Sequence, residues 1–507
     1  MFNDLPLETI DQIVCWSAPD VGSSLRKWKN ALRLLSVSAT WRAAGINRIY
    51  RNAFVADIKD YRFKDKLDRI AEYRAQPGTR PTPTNVNLIE RLGLLPGVRR
   101  VIVNGKRDCD GFSVLAHVIN TLAVTASECP GADGIKRCSP SEFTDYNVRS
   151  DFEKKCYKAI VALAAALHRK FPHARTLKID TFGFCNTLAV FSAEVLQQYV
   201  AQLSGFTYRG IAYYPTPLLD HNLTHLDLSL HRFHNEPMLV LRPHKLKSLC
   251  LHLGNIAFDW SMFRADNDDA ADSKPIVFDE LKCLSITGDD RAVKSTHWHW
   301  PSAHFPKLTT LCVSNCMFSS NDIKWLLKCP LKHLELIQSH ESALEFLNHD
   351  LSQLRELKLA HFDTHQQDSH FIEQTNLIFG KTRNIGRVRC ELFSHCELFE
   401  STDLHWQYLT HMKIHQLDGL ANILLSTRKT PNLVELEAWF RISDVAIDDR
   451  EGGFTADFDT KKPLLKDSKL EKISLAFDGA KYTSKFTEEL ERLKLFFPRL
   501  KIVNWSD

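Results

Sequence analysis

The chain has 507 residues, 44% of them apolar and 25% charged, with 65 basic against 61 acidic side chains and a formal charge of +4. That is the balance of an ordinary soluble globular protein, long enough for several cores or one long repeat array, and it excludes a wholly disordered chain. So even a charge gives no reason to expect nucleic acid as the main ligand.

The opening residues, Met1 to Glu8, carry no basic segment followed by an apolar run, so no secretory leader is expected. The longest strongly apolar stretch, Ala159 to Leu167, falls far short of the roughly 20 residues of a membrane span and reads as the inner side of a helix. The expected location is the cytoplasm, the nucleus or both, with no membrane partner. Thirteen cysteines, an odd and irregularly spaced set, point to free thiols, and the sequon Asn222-Leu223-Thr224 is then idle.

Residues 1–52 read as a small helical module. Asp4 and Pro6 open a helix in which Leu7, Ile10, Ile13 and Val14 recur at helical spacing. Pro19 and Gly22 interrupt it. A second helical region runs from about Leu25 to Tyr50, with Leu32, Leu35, Trp41, Ala44 and Ile49 among its apolar positions. The connecting segment, 53–97, holds a first strand (Ala53 to Ile58), a charged helix (Phe63 to Arg74) and the turn-rich run Pro77 to Thr84. Cys129 to Val148 and the acidic stretch Arg264 to Lys274 read as solvated surface excursions.

Residues 98–507 carry a recurring Leu-x-x-Leu-x-Leu pattern. Strict copies start at Leu223, Leu246, Leu331 and Leu354, and close copies at Leu281 and Leu308. Weaker copies start at Leu203, Leu409, Leu433 and Leu470, and vaguer ones at Val98, Ala174, Ile385 and Leu500. The starts from 223 to 354 are separated by 23, 35, 27, 23 and 23 residues, mostly within the leucine-rich-repeat range of roughly 20–29. Proline precedes several copies, as in Phe305-Pro306-Lys307-Leu308, Cys329-Pro330-Leu331, Thr430-Pro431-Asn432-Leu433 and Phe497-Pro498-Arg499-Leu500. It ends one helix before the chain extends into a strand. A polar loop follows, as at Ser314-Asn315-Cys316, and then a short helix such as Ser320 to Lys328. One such coil cannot bury its own leucines; stacked neighbours make the core.

Strand alternation turns the residues between the leucines outward, onto a ladder. It runs His225, Asp227, Ser229; Ser248, Cys250, His252; Cys283, Ser285, Thr287; Thr310, Cys312, Ser314; His333, Glu335; Glu356, Lys358. This first part reads as largely small and neutral until charge enters at His333. Arg387, Arg389, His411, Lys413 and His415 form its most basic stretch, with Glu435, Glu437 and Trp439 after them. These eight residues are the candidate target-binding positions. The best local metal-ligand spacings are His297-Trp298-His299 and Cys312-x-x-x-Cys316, but no paired Cys-x-x-Cys set and no His-Glu-x-x-His accompanies them. No nucleophile elbow, phosphate-cradling loop or dinucleotide fingerprint occurs. The expectation is a non-catalytic protein without a cofactor.

The array resembles the leucine-rich-repeat family in a divergent form, over perhaps two-thirds of the chain; the asparagine usual after the third leucine is mostly missing, Asn315 being its clearest instance. The N-terminal module resembles the F-box, through Leu5-Pro6-Leu7-Glu8, Ile10 and Ile13, Leu32 to Val37, Trp41-Arg42 and Ile49-Tyr50-Arg51. It departs from that pattern in the segment Trp16 to Asn30, longer and more polar than the usual link. The resemblance implies an α/β fold: a helical F-box followed by a leucine-rich-repeat solenoid, a horseshoe. It implies a substrate-recognition subunit of an SCF-type cullin–RING ubiquitin ligase, with a Skp-type adaptor, a cullin scaffold and a target protein as partners. Leu5, Pro6, Ile10, Ile13, Leu34, Val37 and Trp41 would then contact the adaptor. The competing reading is a repeat scaffold that never meets a ligase.

Overall fold

The computed structural model describes residues 9, 12–13, 24–57, 84–105, 111–122, 159–184, 186–199, 201–211, 222–230, 245–253, 260, 276–288, 303–316, 320–337, 349, 351, 353–362, 387–392, 409–417, 430–440, 468–477, 497 and 499–506. The expected charged helix at 63–74, the turn-rich run before Thr84 and the excursions at 129–148 and 264–274 lie outside them. The chain divides into two compact units, Met1–Leu281 with Ser302–His304, and Lys282–Pro301 with Phe305–Asp507. Both are α/β, built on parallel strands. Among the described residues no helix is long and apolar enough to cross a membrane.

In the first unit, the single helical region expected from Leu25 to Tyr50 is broken in two. Helix α1 spans Leu25–Leu32, a turn of 3-10 helix spans Arg33–Ser36, and α2 spans Ala39–Ile49. Serines start both helices: Ser24 Oγ accepts from the Lys27 N–H, and Ser38 Oγ from the Trp41 N–H, each at 3.3 Å. A serine hydroxyl satisfies an otherwise orphaned N–H at a helix start, and this is why the chain re-initiates at Ser38 rather than continuing. Leu25, Trp28 and Ala31 form the buried stripe of α1, so helix begins within the stretch that reads as a polar link. Trp28 Nε1 donates to the Ile49 carbonyl at 2.9 Å, and its ring meets Tyr50 edge-on at 5.5 Å.

The sheet of this unit takes β1 (Asn52–Asp57), β2 (Arg100–Asn104), β3 (Thr176–Phe184), β4 (Gly205–Ile211), β5 (His225–Leu230) and β6 (Ser248–Leu253) in chain order. Every pairing is parallel. The strand expected in the connecting segment is therefore the first of the sheet, paired with β2. The Leu25 N–H donates to the Asp57 carboxylate and ties α1 to the end of β1. Two-residue strands, β7 (Ile276–Val277) and β9 (Ala303–His304), pair separately.

The second unit takes β8 (Cys283–Thr287), β10 (Thr310–Ser314), β11 (His333–Ile337), β12 (Glu356–Phe362), β13 (Arg387–Leu392), β14 (His411–Leu417), β15 (Glu435–Phe440), β16 (Lys472–Phe477) and β17 (Ile502–Ser506). They too are parallel and in chain order.

Parallel strands need crossover connections, and among the described residues several of these return the chain through one kind of turn. The N–H of the residue that opens the leucine pattern donates to the carbonyl three residues back: Leu308 to Phe305 at 3.3 Å, Leu433 to Thr430 at 3.0 Å, Ala174 to Phe171 at 3.1 Å, Val98 to Leu95 at 3.0 Å. Pro306, Pro431, Pro172 and Pro96 sit second in these turns, where the fixed proline φ is pre-set and no N–H is needed. Proline thus does more here than stop a helix. The strand starts two residues later, and its alternate side chains enter the core. Leu308, Leu311 and Val313 are buried, as are Leu331, Leu334 and Leu336.

Among the described residues, helices follow several of the strands. In the first unit these are α3 (Val86–Arg91), α4 (Gly111–Leu122), a helix over 159–170 and α5 (Asn186–Tyr199); in the second, α6 (Ser320–Leu326) buries Ile323 and Leu326. Tyr199 ends α5 and brings its hydroxyl 3.0 Å from the Leu167 carbonyl and 3.2 Å from that of Phe171. It joins the Phe171 N–H on the Leu167 carbonyl and so reinforces the end of the 159–170 helix.

Candidate functional site

The polar residues of the strands gather on the face opposite the leucines, where in-register pairing sets them in lateral rows. In the first unit one row runs Lys178, Thr207, Asp227 and Cys250 across β3 to β6. A second runs Asp57, Asn104, Asp180 and Arg209 across β1 to β4, and Ser229 faces His252. Asp57, Asn104 and Asp180 are buried, and Asn104 Nδ2 donates to Asp57 Oδ1 at 3.3 Å.

Four side chains from three adjacent strands converge at the β4–β6 end. Arg209 grips Asp227, with Nη2 2.8 Å and Nε 3.1 Å from Oδ2. His252 Nε2 lies 3.4 Å from Asp227 Oδ1 and 3.4 Å from Cys250 Sγ. Burial alone would push the Asp227 carboxyl up, but hydrogen bonds from His252 and Arg209 outweigh it and hold the group below its usual range. The bond to Asp227, with that to Cys250 behind it, lifts the His252 imidazole from 6.5 to about 9 against the opposing effect of burial. This part of the ladder reads as small and neutral in sequence; it is a charged network. Arg209 sits behind one of the weaker leucine copies, and only lateral register brings it beside Asp227.

The His252 pair has a pH signature. An imidazole whose folded value is raised contributes stability that is complete below 6.5 and is lost as the pH rises through about 9. The expected result is that His252→Asn flattens that portion of the stability profile, measured by urea unfolding between pH 6 and about 9.5. Identical profiles for the two proteins would sink this assignment.

In the second unit the ladder is a lattice of alternating charge. Lys358 Nζ donates to Glu335 Oε1 at 2.6 Å, Arg389 Nε lies 3.0 Å from Glu356 Oε1, Lys413 Nζ 3.5 Å from Glu437 Oε1, and Lys472 Nζ 2.5 Å from Glu435 Oε1. Arg387 Nε stands 4.0 Å from Glu356 Oε1. The stretch that reads as basic is in fact interleaved with carboxylates. The register explains part of this. Strands β12 and β13 pair Glu356 with Arg387 and Lys358 with Arg389, but β14 is displaced by two residues, so that His411 stands beside Arg389 rather than Arg387. Thr410 Oγ1 fills the step, accepting from the Val388 N–H at 3.1 Å and lying 3.0 Å from the Val388 carbonyl as donor. Burial foremost, and Arg387 next, push the His411 imidazole down to about 4, although Glu435 is 3.6 Å away. At neutral pH His411 is uncharged and adds nothing to a basic patch.

Of the eight candidate target-binding residues, Arg387, Arg389, His411, Lys413, Glu435 and Glu437 are thus brought together on neighbouring strands, all half-buried. His415 and Trp439 lie in β14 and β15 with their side chains outside the described set. Of the candidate adaptor residues, Leu5, Pro6 and Ile10 lie outside the described residues. Ile13 is helical and half-buried, and Leu34 lies in the 3-10 turn without a described side chain. Val37 is 56% exposed, whereas Trp41 is only 7% exposed and belongs to the module's own core. As for the metal-ligand spacings, His297 and His299 lie outside the described residues. Cys316 is buried, donates to the Ser314 carbonyl at 3.2 Å, and has its thiol pushed up to about 12 by burial, which disfavours the thiolate a metal needs.

No protein-family model matches this sequence, and no curated protein matches it.

Proposed function

We propose that this chain is the substrate-recognition subunit of an SCF-type cullin–RING ubiquitin ligase, its N-terminal module docking on a Skp-type adaptor and its strand face holding a target protein. The observation that carries this reading is Val37. In a module that buries Leu25, Trp28, Ala31, Leu35 and Trp41, the described side chain of Val37 stays in water, between the 3-10 turn and α2. It falls at a position where the F-box resemblance puts an adaptor contact. An apolar group left out by its own core is what a partner's apolar surface covers.

The second support is the character of the strand face. Its fixed, mixed-sign charges suit recognition of a complementary protein surface more than of a polyanion, since Lys358, Arg387, Arg389, Lys413 and Lys472 each have a carboxylate beside them. The module and face together would act by position. They raise the concentration of a bound target near a conjugating enzyme and contribute no catalytic group.

The test is co-purification of the full chain with a Skp-type adaptor. Wild type is expected to bind, and Leu5→Ala/Pro6→Ala to lose binding. Val37→Asp is expected to weaken binding about 100-fold or more, since a carboxylate buried without a partner costs about 3 kcal/mol or more. A folded wild-type chain that does not bind the adaptor would overturn the ligase reading and favour a repeat scaffold with another role.

A further inference from the structure

Three potential ligand atoms of different kinds converge in the first unit: a carboxylate oxygen of Asp227, Cys250 Sγ and a ring nitrogen of His252 lie within 4.8 Å of one another. A hydrogen-bonded catalytic relay does not explain the arrangement. A relay uses the two ring nitrogens of histidine for different partners, one for the carboxylate and one for the nucleophile. Here both Asp227 and Cys250 approach the same nitrogen, Nε2, at 3.4 Å each. One Nε2 proton points at only one of them. A cation at their common centre would meet all three.

The separations have the right size. Four-coordinate zinc holds nitrogen and oxygen at about 2.0–2.1 Å and sulfur at about 2.3 Å, which places tetrahedral ligand atoms roughly 3.3–3.6 Å apart. The two 3.4 Å separations from His252 Nε2, to Asp227 Oδ1 and to Cys250 Sγ, fall in that interval. The backbone supplies the geometry. Cys250 and His252 are two residues apart on β6, on one face and about 6.6 Å along the strand. Asp227 is the direct lateral partner of Cys250, about 4.8 Å away on β5. All three ligands stand on hydrogen-bonded strands rather than on loops, and all are half-buried, shielded yet reachable by an ion.

Arg209 completes the arrangement. Its closest contacts are to Asp227 Oδ2, 2.8 and 3.1 Å, while Oδ1 lies 3.4 Å from both Arg209 Nε and His252 Nε2. A partner that holds the outer oxygen of a metal-binding carboxylate fixes the orientation of the inner one. Asp180, on β3, adds its carboxylate to the surroundings of Arg209.

We propose that Asp227, Cys250 and His252 form a zinc site on the strand face, with the fourth position left to water or to a donor from a bound molecule. The oxygen, sulfur and nitrogen set suits this borderline ion better than magnesium or calcium, which prefer oxygen alone. Binding displaces the Nε2 proton of His252 and takes Cys250 as the thiolate, so it strengthens as the pH rises. The stability profile described above for His252 then belongs to the metal-free chain.

The experiment uses the full chain, stripped with a chelator, and Zn2+ alone as ligand, titrated against a chromophoric competitor. Co2+ serves as a spectroscopic stand-in. Wild type is expected to bind one equivalent that Cys250→Ser and His252→Gln each weaken by about 100-fold or more. Its cobalt complex should show a sulfur-to-metal charge-transfer band that Cys250→Ser abolishes. Cys312→Ser, a half-buried strand cysteine elsewhere, should change neither reading, and circular dichroism should be alike in all four proteins. The proposal is overturned if wild type leaves Zn2+ with the competitor, or if the charge-transfer band survives in Cys250→Ser.

Discussion

Trp28→Ala is expected to destabilise the N-terminal helical module by about 3–5 kcal/mol, the range for deleting a large aromatic side chain from a core. Trp28 is only 2% exposed, so nearly the whole indole is lost from contact rather than from water. Two further losses add to the cavity. The Ile49 carbonyl, near the C-terminal end of α2, loses the indole N–H that satisfies it at 2.9 Å, and Tyr50 loses its edge-on ring partner. Because α1 is also tied to β1 through Leu25 and Asp57, the defect should spread to the first strand. Trp28→Phe separates the contributions: it keeps a ring in place but cannot donate, and should cost less. Hydrogen exchange of α1, α2 and β1 in the full chain is the suitable measurement, since long arrays often unfold piecewise and give no single midpoint. Protection unchanged in Trp28→Ala would show that the indole does not hold the module together. A comparison with Val37→Asp connects this result to function. On the proposed adaptor reading, Trp28→Ala should lose the adaptor through loss of the module, whereas Val37→Asp should lose it with exchange protection intact.

The repeat architecture was legible because its signal is redundant. Each start of the leucine pattern, from Val98 to Leu500, precedes a strand that begins two residues later, including the copies that are weak taken singly. Spacing and periodicity report the same coil many times, so one poor copy costs little. Features that occur once, or depend on lateral register, had no such support. The two-residue strands β7 and β9 are too short to show a period. The step between β13 and β14 leaves the leucines in place and moves only their neighbours, so the placement of His411 beside Arg389 could not be read from spacing. Asp227 and Cys250 are 23 residues apart, one repeat, and meet only because β5 and β6 pair in register. That offset was the available signal for the cluster. Trp41 illustrates the opposite difficulty: an apolar residue on a helix reads alike whether its own module or a partner covers it.

Charge on the strand face follows the same logic. Single exposed ion pairs contribute little to stability, roughly 0–1 kcal/mol. Their value in this chain lies in arrangement: Glu335, Glu356, Glu435 and Glu437 hold the neighbouring cations in fixed positions, while burial keeps His411 neutral at physiological pH. A ligand that replaced one of these carboxylates would have to offer a comparable anion at the same place. This favours a shaped, mixed-charge protein partner over a free phosphate.

Gly288→Ala is the second substitution expected to be severe, at about 3 kcal/mol or more, the upper end of the range for overfilled sites. The reason is contact, not backbone freedom. A Cβ at Gly288 would stand 2.2 Å from the Asn315 carbonyl oxygen and 3.1 Å from its carbon. Neither atom is the end of a side chain that could swing aside. Asn315 has φ +53°, a left-handed conformation that asparagine tolerates better than most residues, and its N–H donates to the Ile337 carbonyl at 3.1 Å. The Gly288 N–H donates to the Ser314 carbonyl at 2.7 Å, so moving Gly288 away would break the bond that joins the two coils there. Three consecutive strand ends, of β8, β10 and β11, thus meet at this one small residue. Other glycines provide the scale. At Gly205 the nearest atom is the Thr176 methyl at 3.3 Å, which can yield, and at Gly97 nothing lies within 4 Å. Alanine should therefore cost much less at 205 and close to nothing at 97, where it also restricts the unfolded chain. Urea unfolding of the three variants tests the order. A Gly288→Ala protein as stable as the Gly97→Ala one would show that the chain between β8 and β10 can open without cost, and that the close approach at Asn315 does not hold the coil.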